Sequence, residues 1–246
     1  GDLGFGWDKG AAWRGGVVDA IDPGMQGRIA EWRKSGLNIM MSEKSEAKPV
    51  SFLEDCAVEL KDLAEYTDKL TAIFDRNGVK GTWYAHASVG CLHVRPVLNM
   101  KQLGGAETMR AIAEEAFELV RSFGGSHSGE HGDGIVRSEF NDRMFGPVLP
   151  DLFRQVKAMF DPQGMFNPGK ITDAPKMDDR ELFRFAPGYE AEDFDSVLDW
   201  AAWPGAAGGF QGAVEMCNNN GACRKLTGGV MCPSYRATRN ERDAVR

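Results

Sequence analysis

Apolar positions recur along this chain with two periods. Leu60, Leu63, Ala64, Leu70, Ile73 and Phe74 follow one another at helical spacing and predict an amphipathic helix that stops at Asn77-Gly78. Residues 108–123 predict a second, clearer helix, with Ile112, Ala116, Leu119, Val120 and Phe123 on one side and Gly124-Gly125 ending it. A third helix, residues 147–160, ends at Asp161-Pro162, where the proline forbids continuation. Extended segments lie between them. Residues 48–58 predict a strand, because β-branched and aromatic residues follow a Pro suited to a strand start. Residues 81–87 and 91–96 predict a hairpin or two linked strands, turning at Ser88-Val89-Gly90. Upstream, residues 26–34 predict a short helix ended near Gly36, followed by an extended stretch over 37–42.

Strand, helix, two strands, helix is a split αβ layout. The expected class is α+β, with a small antiparallel sheet covered by helices on one face. Residues 126–134 form a loop rich in Gly and His, and Asn167-Pro168-Gly169-Lys170 a turn. From Asp173 the composition shifts to acidic residues, Pro and Gly with scattered apolar positions, so this irregular extension is expected to bury little. Within it, residues 193–200 predict an amphipathic turn or two. The expected divisions are 1–36, a linker and a first helix; 37–172, the main domain; and 173–246, the extension. The start on Gly1, with Gly4, Gly6, Gly10, Gly15 and Gly16 close behind, reads as a linker inside a longer polypeptide.

Composition narrows the partners. Twenty-nine basic against thirty-six acidic residues give a net charge of −7, which argues against a nucleic-acid footprint. No apolar run approaches bilayer length and no export signal is visible, so a cytoplasmic setting is the default, with peripheral membrane attachment left open. Five cysteines, Cys56, Cys91, Cys217, Cys223 and Cys232, are an odd number in a chain with its own core, so a disulfide framework is not expected.

All four histidines fall in two segments: His86 and His93 flank the glycine turn, and His127 and His131 lie in the loop with Glu130. Neutral imidazoles and one carboxylate suit a divalent metal, with a further histidine as general base. A metal there would bind the carboxylate and hydroxyl of a 2-hydroxy acid and lower the hydroxyl pKa while hydride leaves the α-carbon. Spacing alone also allows ordinary strand histidines beside a tight connection. Arg137 is a candidate clamp for a substrate carboxylate or a member of a plain ion pair. Cys91 reads as a buried inert thiol or, lying on the same strand side as His93, as a soft ligand.

Gly129-Glu130-His131-Gly132-Asp133-Gly134, then Arg137, Lys157-Ala158-Met159-Phe160-Asp161-Pro162 and Asn167-Pro168-Gly169-Lys170, resemble the C-terminal domain of FAD-linked oxidases. That family includes D-lactate dehydrogenase, the glycolate oxidase flavoprotein subunit and D-2-hydroxyglutarate dehydrogenase, and the resemblance covers roughly residues 37–172. It implies a ferredoxin-like fold that caps the isoalloxazine ring and supplies the substrate pocket, while FAD is held mainly by a separate N-terminal domain. It implies His86, His93 and Glu130 as ligands of Zn or another divalent metal, and His131, with Arg137, as catalytic. Glu130, His131 and Asn167 then face the cofactors, Asn167 where the chain returns to the flavin edge. One departure stands out. The family's first histidine motif usually reads His-x-Gly-Asp-Gly-Asn-Leu-His, and here it is His86-Ala-Ser-Val-Gly-Cys-Leu-His93, which removes two polar pocket groups.

The extension resembles the start of an iron–sulfur domain, with Cys217, Cys223 and Cys232-Pro233 at ligand positions. The usual run has a further cysteine where Asn220 stands and lacks the insertion before Cys232. The fragment alone is therefore not expected to complete a cluster and, lacking its flavin domain, is not expected to be active. The function implied is dehydrogenation of a D-2-hydroxy acid in the parent protein, with electrons passed to FAD and then through iron–sulfur centres to an acceptor. A metal-free alcohol or aryl-ether oxidase and a non-catalytic metal-binding or electron-transfer module are the alternatives.

Overall fold

The computed structural model describes residues 19–186, 188–191, 195–203, 208–217, 220–228 and 232–244. The Gly-rich opening lies outside the described residues, as does part of the turn expected over 193–200. The described part of that turn is irregular, not helical. The chain divides into two compact units, Gly1–Met40 and Met41–Arg246.

Helix α1 spans Pro23–Met41, all but its last residue in the first unit. Asp22 Oδ2 accepts the Met25 N–H at 2.6 Å, and Pro23 occupies a first-turn position whose missing N–H costs nothing. The extended stretch expected over 37–42 is thus helical up to Met41. Gly36 does not stop the helix, because a glycine inside a helix costs only about 1 kcal/mol relative to alanine.

The second unit is built on strand β4, Cys91–Leu98, which pairs antiparallel with every other strand. Strand β1, Lys48–Pro49, and strand β2, Cys56–Ala57, lie along one edge of it, and strand β3, Gly81–His86, along the other. A single antiparallel bridge, Ala57↔Ser126, adds the chain after helix α3, Gly105–Ser122, outside β2. The spatial order matches the expected ferredoxin-like sheet, with its last strand reduced to that bridge. Helix α2, Leu63–Arg76, links β2 to β3, and Asn77 ends it by donating its side-chain N–H to Ile73 O at 2.9 Å.

The continuous strand expected over 48–58 is instead two short pieces. Lys48 pairs with Leu98 and Pro49 with Val97, whereas Cys56 pairs with Leu92 and Ala57 with Cys91. Six residues, 50–55, therefore face four, 93–96, and the excess bulges out. Phe52 and Leu53, adjacent in sequence, are both buried in the core, which a flat two-residue alternation forbids. Asp55 closes the bulge in a left-handed conformation at φ 96°.

Period-two alternation along β4 separates two faces. Leu92, Val94 and Leu98 join Tyr66, Leu70, Ile73 and Phe74 of α2 and Met109, Ile112, Ala116, Phe117 and Val120 of α3 in the core. Each large apolar side chain buried there contributes about 1.5–3 kcal/mol relative to exposure. Cys91, His93 and Arg95 point to the face away from the helices, and so do Tyr84 and His86 on the paired strand. Gly90 makes the turn: at φ 71°, a Cβ there would lie 1.9 Å from Val58 O.

Beyond the 126–134 loop come helix α4, Gly134–Arg137, helix α5, Asn141–Phe145, and helix α6, Val148–Phe160. Further along stand two one-turn helices, α7, Gly209–Val214, and α8, Pro233–Thr238. The extension buries more than its composition suggests: Met177 belongs to the core and Phe183 packs against it. No helix among the described residues is long and apolar enough to cross a membrane.

Candidate active site

The open face of the sheet carries a cluster of imidazoles around one carboxylate. Register places His86 opposite Cys91 and Tyr84 opposite His93, so His86 and His93 project from neighbouring strands to the same side. Their rings stand 5.1 Å apart at 90°. Across from them the loop brings in Glu130, whose Oε1 lies 2.9 Å from His93 Nε2, 3.2 Å from His86 Nε2 and 3.6 Å from His131 Nε2. The His131 ring stacks on that of His93 at 4.8 Å, and Tyr84 stacks on His93 at 5.7 Å. His93 is buried, while the Glu130 and His131 side chains are 45% and 46% exposed, so the cluster has a closed wall and an open mouth.

Asp55 holds the loop in place. Its fully buried carboxylate accepts the Glu130 N–H through both oxygens, at 2.9 and 2.8 Å, and the His131 N–H at 2.7 Å. Its own carbonyl accepts the Gly129 N–H at 2.7 Å, and its N–H donates to Leu92 O at 2.9 Å, so one residue ties loop to sheet. Gly129 permits this approach: a Cβ there would stand 3.0 Å from Asp55 O and 3.2 Å from Cys91 Sγ. Burial pushes the Asp55 carboxyl up, but the N–H groups of His131 and Glu130, the Cys91 thiol and the His131 imidazole outweigh it and hold it below its ordinary value. Burial, reinforced by the neighbouring His131, pushes His93 down and favours the neutral ring that a metal or proton needs.

The other candidates divide. Cys91 Sγ faces Asp55 Oδ1 at 3.4 Å, and burial followed by that contact pushes the thiol up to about 12, against the thiolate form. Arg137 turns inward: it donates to Gly132 O, and its other terminal nitrogen lies 3.8 Å from Asp55 Oδ2. His127 is not part of the cluster; it is buried edge-on to Phe117 at 5.6 Å. Asn167, at φ 46°, accepts from Lys170 Nζ at 3.0 Å within its turn and touches none of the cluster residues. The C-terminal cysteines are not gathered into a ligand set among the described residues. Cys232 is buried against Ser234 Oγ and Asp243 O, and Cys217 and Cys223 are half-buried.

The donor set fits a divalent metal. Asp55, His93, Glu130 and His131 each offer a ligand atom within 4.8 Å of the others, and His86 completes the ring around Glu130. Ligand atoms sharing one ion at bonds of about 2.0–2.2 Å stand roughly 3–3.5 Å apart, which is the spacing of His86 and His93 to Glu130. Sequence reasoning missed Asp55 and Tyr84. Tyr84 was within reach, two residues before His86 on one strand face. Asp55 offered only an acidic break in an apolar run.

The sequence that builds this site matches a known family. Residues 10–171 match the family described as FAD linked oxidases, C-terminal domain. The chain belongs to that family. It is 33% identical over 233 residues to D-2-hydroxyglutarate dehydrogenase of Pantoea ananatis, covering 92% of this chain and 22% of the relative. It is 35% identical over 219 residues to the Escherichia coli protein of the same name, covering 87% and 20%. D-lactate dehydrogenase of Archaeoglobus fulgidus is 30% identical over 132 residues, covering 54% and 29%. The chain thus spans about a fifth of the length of the D-2-hydroxyglutarate dehydrogenases it matches.

Proposed function

We propose that this chain forms the substrate side of an FAD-dependent dehydrogenase that oxidises a D-2-hydroxy acid. The observation that carries this reading is the single carboxylate oxygen of Glu130 faced by ring nitrogens of His86, His93 and His131. His86 Nε2, His93 Nε2 and Glu130 Oε1 would hold Zn or another divalent ion. An ion held there would supply Lewis-acid lowering of the substrate hydroxyl pKa, and a flavin held by another part of the polypeptide would supply the hydride acceptor. His131, exposed at the mouth, removes the hydroxyl proton. Asp55 keeps its backbone and ring in position, with Asp55 Oδ1 3.7 Å from His131 Nδ1. We assign Arg137 to bracing the loop, since its contacts are Gly132 O and Asp55. The glycine turn with Cys91 gives a pocket floor with fewer polar groups than the family pattern. The names of the relatives favour a 2-hydroxyglutarate-like or lactate-like substrate.

Electrons would pass from the flavin to iron–sulfur centres and an acceptor, a step supported by Cys217, Cys223 and Cys232 as thiolate sources. A complete cluster needs further ligands, because these three are not brought together here. Stoichiometric iron and sulfide in this chain after anaerobic reconstitution would contradict that reading. The metal reading is tested by elemental analysis and zinc titration of the chain and of His86→Ala. One divalent ion per chain, lost in the variant, is expected, and equal binding by both proteins would remove the assignment.

A further inference from the structure

One cation of the second unit has no use in the site above. Lys48 opens strand β1 and is half-buried, and its Nζ donates to Glu43 O and meets Met216 Sδ at 3.0 Å. A thioether is a weak acceptor, and among the described residues Lys48 makes no ion pair with a carboxylate. Burial pushes its pKa below the ordinary value and Lys101 adds to that, against the pull of Glu43. A desolvated cation without a counter-ion costs stability until something supplies the opposite charge.

Lys48 stands in the wall of a cavity of about 380 Å³, within the roughly 300–1,000 Å³ of small-ligand sites. Strand register puts this space away from the histidines. Lys48 pairs with Leu98, also in the wall, which lies five positions after His93 on β4, roughly 17 Å at the rise of a strand. None of His86, His93, Glu130 and His131 lines the cavity. The extension closes it with Met177, Phe183 and Met216, which gives the scattered apolar residues beyond Asp173 a common destination.

The walls select the occupant. Five methionines and three phenylalanines line the space, and unbranched thioether side chains adapt to a flexible apolar body. Lys44, Lys48, Lys101 and Arg184 line it with only two carboxylates, Glu46 and Glu215, so the wall is positive in a chain of net charge −7. Both carboxylates close on Lys101, Glu46 at 3.4 Å. Lys44 and Arg184 are exposed and lie over ring faces, Trp203 at 4.8 Å and Phe185 at 5.2 Å. Of the four, Lys48 is the one with neither a carboxylate nor a ring against its charge among the described residues. We propose that this cavity takes a monocarboxylate amphiphile, its acyl chain along the methionines and its carboxylate on Lys48. The proposal does not rest on the functional reading above, because no group of that site takes part.

Methionine methyl groups report on the cavity without using turnover. The chain with isotope-labelled methionine methyls is titrated with dodecanoate, below its micelle concentration, and with dodecanol, and followed by NMR. Dodecanoate should shift Met41, Met100, Met109, Met177 and Met216 saturably and leave Met159 and Met165, at and after the exposed end of α6, unmoved. Lys48→Met should weaken dodecanoate by about tenfold or more, the worth of one charge-assisted hydrogen bond, and leave dodecanol as in the parent. Equal dodecanoate affinity in Lys48→Met overturns the proposal, as does the absence of a saturable shift. Shifts confined to Met159 and Met165 overturn it in favour of adventitious binding to that apolar surface. Dodecanol binding the parent as tightly as dodecanoate overturns it too, and that comparison decides the matter even if Lys48→Met does not fold.

Discussion

Asp55 and Glu130 are joined carboxylate to backbone, with both oxygens of Asp55 on the Glu130 N–H at 2.9 and 2.8 Å. The two residues are 75 positions apart in sequence, so this contact rather than any local preference fixes where the Glu130 and His131 side chains point. Asp55→Ala leaves the Glu130 and His131 N–H groups without their acceptor. The expected loss is roughly 3–5 kcal/mol of stability by urea unfolding, with Asp55→Asn intermediate because one acceptor oxygen remains. An Ala variant within about 0.5 kcal/mol of the parent would mean that the loop is held by something else.

The turn after α6 should sense acid through Asp161. Its carboxylate accepts the N–H groups of Met165 and Phe166, each at 2.8 Å, and Lys157 Nζ at 2.6 Å. The Lys157 hydrogen bond and the Phe166 N–H hold its pKa down to about 2 from an ordinary 3.8. A carboxyl lowered by folding stabilises above its unfolded value and loses that contribution as the pH falls through the folded one. Amide protection of Met165 and Phe166 should therefore be full above about pH 4 and collapse toward pH 2. Asp161→Asn should abolish that pH dependence.

Thiol chemistry should follow burial. Burial pushes Cys56 up to about 11, and burial with the Asp55 contact pushes Cys91 up to about 12. At pH 8 a maleimide should modify half-buried Cys217 and Cys223 in the folded chain well before either of these, as read by peptide mass spectrometry. Rapid modification of Cys91 would contradict the packing described around Asp55.

Gly90 should tolerate no side chain. At φ 71° an L-residue costs about 1–2 kcal/mol, and the Cβ would strike Val58 O at 1.9 Å. Gly90→Ala should lose more than about 2 kcal/mol in thermal or urea unfolding, whereas Gly78→Ala, at φ 67° with nothing within 4 Å, pays only the backbone term.

Where structure follows local period, the sequence was readable. The β3–β4 hairpin, α2 and α3 each declare themselves by alternation or by 3.6-residue spacing, and the placement of His86 and His93 on one face follows from the hairpin alone. The 48–58 segment was not readable. Phe52, Leu53, Cys56 and Val58 make an apolar run with strand character, and only the packing of two adjacent side chains into one core forces the bulge. Asp55 was invisible for the same reason: its partners are a loop far along the chain. Met177 likewise joins the core through tertiary packing that scattered apolar positions do not announce. His127 sits with the other histidines in sequence yet belongs to the packing of Phe117, because the loop folds its two ends to different faces.

The central claim is that His131 takes a proton beside a flavin while His86, His93 and Glu130 hold the substrate through a metal. The most direct test is anaerobic mixing of a D-2-hydroxy acid with the flavin-loaded longer polypeptide, followed by flavin absorbance. Rapid bleaching is predicted, absent with the L-enantiomer and slowed by about 10²–10⁴-fold in His131→Ala. Bleaching at an undiminished rate in that variant would contradict the account.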